Sequence, residues 1–133
     1  MIHSIWISER APEQFCITIF INQVIAKGTK FTKSNLQGCR FYKAYLVNAD
    51  FEGADIRGAA LEDTSMDNAN LKNAIAAGTY FGQSILDVQS LENADFTDAQ
   101  LPVKTLPLVC ERPDAKGKNP VTGVDTAESL LCP

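Results

Sequence analysis

Two pairs of neighbouring carboxylates, Asp50 with Glu52 and Glu62 with Asp63, are the side chains best suited to chemistry in this sequence. Acid/base catalysis requires a cleft that pushes the pKa values of such a pair apart, so that one group keeps its proton while the other loses it. Ser/His/Asp and Cys/His sets cannot be assembled around the single histidine, His3, and no glycine-rich phosphate loop is present. Four cysteines, Cys16, Cys39, Cys110 and Cys132, include no C-x-x-C pair, so the spacing of a zinc site is missing. Neither an enzyme, a metal nor a cofactor is expected.

Cys110 and Cys132 bracket a stretch rich in turn residues, which a disulfide would staple in an oxidising compartment; in a reducing one both stay thiols. A bond there closes a loop of about 23 residues and is worth roughly 3–4 kcal/mol if loop entropy dominates. Cys39 is expected to point into the core as an inert thiol, and Cys16 to stay unpaired at the opposite end of the chain.

What positions these residues is a period of five. Every fifth residue from Phe31 to Leu101 is large and apolar in fourteen of fifteen cases, the exception being Ala76. Two residues before each stands a small residue, from Thr29 to Ala99, again in fourteen of fifteen cases, with Gln89 the exception. A helix repeats every 3.6 residues and a strand every two, so neither alone fits. On an extended chain, positions two apart face the same way, so the small and the large residue both point inward. The next inward residue comes three later, which demands a corner. Four corners close a square coil of 20 residues, and stacked coils place Phe31, Phe51, Leu71 and Leu91 in one interior ladder. A local irregularity or void is expected at Ala76 and at Gln89.

The repeated A-(D/N)-(L/F)-x-x pattern, seen in "ADFEGADIRGAAL", resembles the pentapeptide-repeat family. That resemblance implies an all-β solenoid, the right-handed quadrilateral β-helix, over residues 29–103, with fifteen repeats in nearly four coils. Residues 1–28 then form an N-terminal extension or cap, because a solenoid must cover its open ends. Residues 104–133, broken by Pro107, Pro113, Pro120 and Gly123, form a C-terminal cap stapled by Cys110 and Cys132, with a short helix over residues 125–131. Asp125 as N-cap and Glu128 three residues on predict a capping box for that helix.

The segment from Asn119 to Cys132, "NPVTGVDTAESLLC", further resembles the cysteine-bracketed C-terminal segment of the thylakoid-lumen pentapeptide proteins of plants and cyanobacteria. The resemblance implies a non-enzymatic structural or protein-interaction role in the chloroplast thylakoid lumen, with an unknown protein partner and a monomeric chain. Met1 is followed by Ile2, His3, Ser4 and Glu9, which reads as no secretory signal, so the lumenal expectation rests on the resemblance. The apolar run over residues 15–26 is about half the length that spans a bilayer and carries Asn22 and Gln23, so no membrane span is expected.

Function on such a rod must lie on outward positions. Lys30, Lys33, Arg40 and Lys43 precede residue 49, whereas residues 49–103 carry ten acidic residues against Arg57 and Lys72, a net of −8. The overall charge of −4 argues against nucleic-acid binding. An acidic rod does invite an alternative, a DNA-mimicking gyrase-binding protein, but under four coils spans only about ten duplex charges at one per ~1.7 Å. Folding the count by 20 places Tyr42 and Tyr80 on one face and Tyr45, Val47, Ile85 and Val88 on the next, a candidate interaction patch around a corner.

Overall fold

The computed structural model describes residues 5–6, 24–25, 27–41 and 43–133. Its backbone is bridged almost wholly at one spacing. Parallel bridges join Lys30 to Asp50 to Asn70 to Ser90, Asn35 to Asp55 to Ile75 to Asp95, and Arg40 to Ala60 to Tyr80 to Gln100. Each link spans 20 residues, so these residues line three columns up a stack of coils. The pairing is long enough to register as strands at β3 (Ala60–Leu61) and β4 (Tyr80–Phe81). β1 (Ile5–Trp6) and β2 (Val24–Ile25) make a separate parallel pair.

Each corner is a turn closed by the small residue's N–H on the carbonyl of the large one, as in Ser34 to Phe31 at 3.0 Å and Ala74 to Leu71 at 3.1 Å. The residue before the small one takes a positive φ, 55° to 70° at Gly28 and Lys33 and so on to Gly78, then at Asn93 and Asp98. A positive φ at the third position is the mark of a type II turn, which favours Gly and tolerates Asn. A third column of Gly, Asn and Asp therefore runs through the sequence beside the two inward ones. Lys33 and Lys43 adopt the same conformation at a cost of roughly 1–2 kcal/mol each.

Phe31, Phe51, Leu71 and Leu91 are all fully buried. The Phe31 and Phe51 rings stack face to face with centroids 4.8 Å apart, the spacing of neighbouring strands, while Phe41 meets both edge-on. Two inward hydroxyls are satisfied by the backbone, Thr64 Oγ1 donating to the Leu61 carbonyl at 2.7 Å and Thr79 Oγ1 to that of Ile56 at 2.6 Å, whereas Ser84 Oγ, at an irregular turn, has no partner among the described residues.

The stack is interrupted once. No bridge joins residue 65 to residue 85, and a 3-10 helix, Gln83–Asp87, stands in place of the corner. The positions that should carry a positive φ are here Gln83 and Val88, and neither does. Valine branches at Cβ and pays heavily for that conformation, so the chain tightens into a helical turn instead. Ile85 and Val88 consequently point inward, with 0% and 4% of their surface exposed, and Leu86 leaves the inward column to pack half-buried on the core. The ladder resumes one residue early, with Gln89 rather than residue 90 donating to the Ala69 carbonyl at 2.7 Å. Ala76, in contrast, keeps the regular bond of its position, to the Asp95 carbonyl at 2.7 Å, in a column between Ile56 and Phe96. Of the two expected irregularities, the coil shows one, beside Gln89.

Candidate functional site

The edge of the last coil is where the chain departs from its repeat. Beyond Leu101 come two short helices, α1 (Leu106–Cys110) and α2 (Thr126–Ser129), and the connecting segment bonds back onto the coil. With no fifth coil to accept them, the N–H groups of Leu91, Asn93 and Phe96 turn to this tail. Leu91 N–H donates to the Asp114 carboxylate at 3.1 Å, Asn93 N–H to the Lys116 carbonyl at 3.0 Å, and Phe96 N–H to Ser129 Oγ at 2.9 Å.

Asn119 is the centre of this attachment. It is 1% exposed, and its Nδ2 faces the carbonyls of Asn73, Ala74 and Asn93 at 3.1–3.2 Å. Its Oδ1 accepts from Val121 N–H and Thr122 N–H at 2.9 and 3.0 Å, which shapes the turn after Pro120. Only an amide offers donors on one side and an acceptor on the other, so the side-chain orientation is unambiguous. Beside it Gly117, at φ +91°, lies so near Asn93 Oδ1 that a Cβ there would overlap it.

Arg112 secures the irregular part of the coil. Its guanidinium donates to the carbonyls of Leu86 and Val88 at 3.1 and 2.9 Å and, as a fork, to both oxygens of Asp114 at 2.9 and 2.8 Å. Those hydrogen bonds hold the Asp114 carboxyl below the ordinary carboxylate value against an opposing push from partial burial, and the Leu91 N–H adds to the effect. Because the folded pKa is depressed, this pair stabilises the tail fully above the unfolded carboxylate value of about 3.9 and less as pH falls through the folded one. The melting temperature should therefore drop more steeply below about pH 4 in the native chain than in Asp114→Asn, as a pair of thermal titrations would show.

At the far end of the tail, Asp125 caps α2 by accepting from Glu128 N–H at 3.0 Å. No return bond from the Glu128 carboxylate is made among the described residues, so the expected box is half built, and the helix is a single turn rather than seven residues. It ends with Leu131 N–H bonded to the Glu128 carbonyl at 2.9 Å and Cys132 N–H to that of Ala127 at 3.1 Å, the Schellman pattern. Leu131 occupies its left-handed position, φ 60°, where glycine is usual, and is 85% exposed. Leu131→Gly should thus raise stability by ~0.5–1 kcal/mol, a small upward shift in a melting curve. The Schellman turn brings Cys132 to Cys110, and the two are disulfide-bonded with Cα atoms 5.5 Å apart.

Cys39 corrects one expectation. It lies buried at an inward small position, yet it is disulfide-bonded rather than a free thiol, and there is no free cysteine among the described residues. Cys16 lies outside the described residues.

The expected interaction patch is also redrawn. Ile85 and Val88 belong to the core, because the 3-10 helix turns them inward. Tyr42 lies outside the described residues. Val47 is half-buried, and Tyr45 and Tyr80 are exposed at 48% and 46%. Tyr45 bridges Ser65 and Tyr80 bridges Ala60 and Gln100, so the two tyrosines occupy neighbouring faces with nothing apolar from residues 85 and 88 to join them. The carboxylate pairs Asp50 with Glu52 and Glu62 with Asp63 sit at outward positions of the coil; Asp50 spends an oxygen on Glu52 N–H at 2.9 Å and on Asn70 Nδ2. Among the described residues no group of three or more His, Cys, Asp or Glu side chains could hold a metal ion, and no helix is long and apolar enough to cross a membrane.

Comparison with known proteins bears on the repeat and on most of the chain. The family model described as pentapeptide repeats (9 copies) matches residues 26–70. Among solved structures, the chain is similar to a pentapeptide repeat protein from the Arabidopsis thaliana thylakoid lumen, at 31% identity and a TM-score of 0.72, covering 82% of this chain and 74% of that one. It is also similar to a pentapeptide repeat protein, Rfr23, from the cyanobacterium Cyanothece 51142, at 17% identity and a TM-score of 0.42, covering 75% of this chain and 81% of that one. A plasmid-mediated fluoroquinolone resistance protein, QnrB1, matches at 17% identity and a TM-score of 0.32, over 67% of this chain and 42% of its own. No curated protein sequence matches.

Proposed function

The chain belongs to the pentapeptide-repeat family, with the right-handed quadrilateral β-helix that this implies, and from that premise we propose that it is a non-enzymatic interaction protein of the chloroplast thylakoid lumen. The repeat over residues 29–103 is the rigid body and residues 104–133 cap one end; the expected N-terminal cap, residues 1–28, lies mostly outside the described residues. The observation that carries this reading is the tail: Asn119, Arg112 and the Cys110–Cys132 bond are all spent on closing the coil, a structural rather than a chemical use. Disulfides at Cys39 and at Cys110–Cys132 suit an oxidising compartment, in keeping with the lumenal source of the Arabidopsis relative.

The protein acts as a monomer whose partner contacts Tyr45 and Tyr80, aromatic side chains that combine apolar area with a hydroxyl at low entropic cost. Fractionation tests the compartment: in isolated chloroplasts the tagged protein should resist protease outside intact thylakoids and become soluble when they are ruptured, and recovery from the stroma would overturn the assignment. Capture from lumen extract with the native chain and with Tyr45→Ala/Tyr80→Ala should then differ by at least one specific partner. Gyrase supercoiling should be unaffected by the protein; inhibition would favour the DNA-mimicking alternative instead.

A further inference from the structure

We propose that the uncovered edge at residues 98–101 binds an extended basic peptide, which adds to the last coil as its next parallel strand. The tail takes the outward-facing N–H groups of Leu91, Asn93 and Phe96, and there it stops. Among the described residues, the N–H groups of Asp98 and Leu101 and the carbonyl of Ala99 have no hydrogen-bond partner. One coil earlier the same three groups are all used: Gly78 N–H bonds Thr97 O at 2.8 Å, Phe81 N–H bonds Gln100 O at 2.8 Å, and Thr79 O accepts from Gln100 N–H at 2.9 Å. A backbone that supplies two carbonyls and one N–H at that spacing is an extended chain running parallel to residues 97–101. Sheet edges recruit such strands through main-chain bonds, with side-chain pockets setting specificity.

Space and charge define the rest of the occupant. A groove of about 370 Å³ lies between this edge and α2, with Leu101, Leu106 and Leu131 among its walls. Its ionisable lining groups are Asp98 and Glu128, both acidic and both exposed. By the register of the coil, a small residue falls over Ala99, the following residue points outward, and a large apolar residue falls over Leu101, while the acidic lining of the groove favours positive charge on the segment. The fitting segment is therefore small, basic, bulky apolar, with further Lys or Arg on either side. Pro102 ends the edge, so the added strand is short. The edge exists in whichever compartment holds the chain, so this site stands apart from the lumenal proposal above.

A hexapeptide, acetyl-Lys-Gly-Ala-Lys-Leu-Lys-amide, supplies that pattern and serves as the probe for the full-length oxidised protein. On titration, amide hydrogen exchange at Asp98 and Leu101 should slow while that at Phe96, already bonded, changes little. N-methylation of the central lysine, which removes the bond to Ala99 O, should weaken binding about tenfold. Glu128→Lys should weaken it several-fold, most at low salt, and a probe with Glu for each Lys should not bind. Unchanged exchange at millimolar peptide, or equal binding of the N-methylated probe, would overturn the proposal. So would a dimer in sedimentation whose Asp98 and Leu101 amides are protected without peptide, since a second copy would then hold the edge.

Discussion

Leu71→Asp should leave the chain unfolded at room temperature. Leu71 is fully buried midway up the stack, between Phe51 below and Leu91 above, and its backbone is held by Ser90 O at 2.8 Å and by Ala74 N–H at 3.1 Å. The side chain cannot turn away without undoing a corner. Removing the leucine forfeits roughly 1.5–3 kcal/mol of burial, and the carboxylate adds several more whether it stays charged or takes up a proton at a raised pKa. The sum is comparable with the whole stability of a typical domain, about 5–15 kcal/mol. Loss of the far-UV signal and of a cooperative melt would be the readout. Leu71→Met should cost under about 1.5 kcal/mol, and Val103→Asp, at a site 88% exposed, should change stability by about 0.5 kcal/mol or less. A cooperative Leu71→Asp melt at the native temperature would refute the buried ladder.

Asn119→Asp should release the tail while leaving the coil folded. The substitution is isosteric, but it replaces the Nδ2 donor with a second carboxylate oxygen directed at the carbonyls of Asn73, Ala74 and Asn93. A buried charge without a partner costs about 3–5 kcal/mol, more than the ~1–3 kcal/mol for a donor simply removed. Asn119→Asp should therefore be worse than Asn119→Ala, an order that a packing role alone would reverse. The Cys110–Cys132 bond keeps the loop closed, so the effect should appear as protease cleavage within residues 111–131 and faster amide exchange at Leu91 and Asn93. Equal stability of the Asp and Ala variants would remove Asn119 as the anchor.

Much of this fold was legible in the order of residues because its rule is local. Whether Leu36, Phe41 or Leu46 faces inward follows from parity within five residues and needs no knowledge of any distant neighbour. The corner column could have been read in the same way: Gly53, Gly58, Asp63, Asn68, Asn73 and Gly78 recur at intervals of five and are residue types that tolerate a positive φ. Its failure at Val88, a β-branched residue that a positive φ penalises most, was the available sign that the coil would break there. The patch residues Ile85 and Val88 were misplaced because the count of five was carried across that break.

The sequence alone thus determines the repeat, its inward ladders, the length of the coil and the cysteine-bracketed tail, since each depends on spacing along a short stretch of chain. Tertiary structure decides what closes the stack. Asn119 acquires its role from carbonyls 26 to 46 residues away, and Arg112 from carbonyls 24 and 26 residues away. The Ala74 carbonyl also accepts from Asp95 N–H, and the Leu86 and Val88 carbonyls lie at the irregular turn, so neither attachment follows from the repeat's own spacing. Nor does any spacing rule distinguish Cys39 as a half-cystine from Cys39 as a core thiol, because a small inward position accepts either. Which backbone groups remain unpaired is a property of where the stack ends and how far the tail reaches, so the open edge at Asp98 and Leu101 exists only in three dimensions.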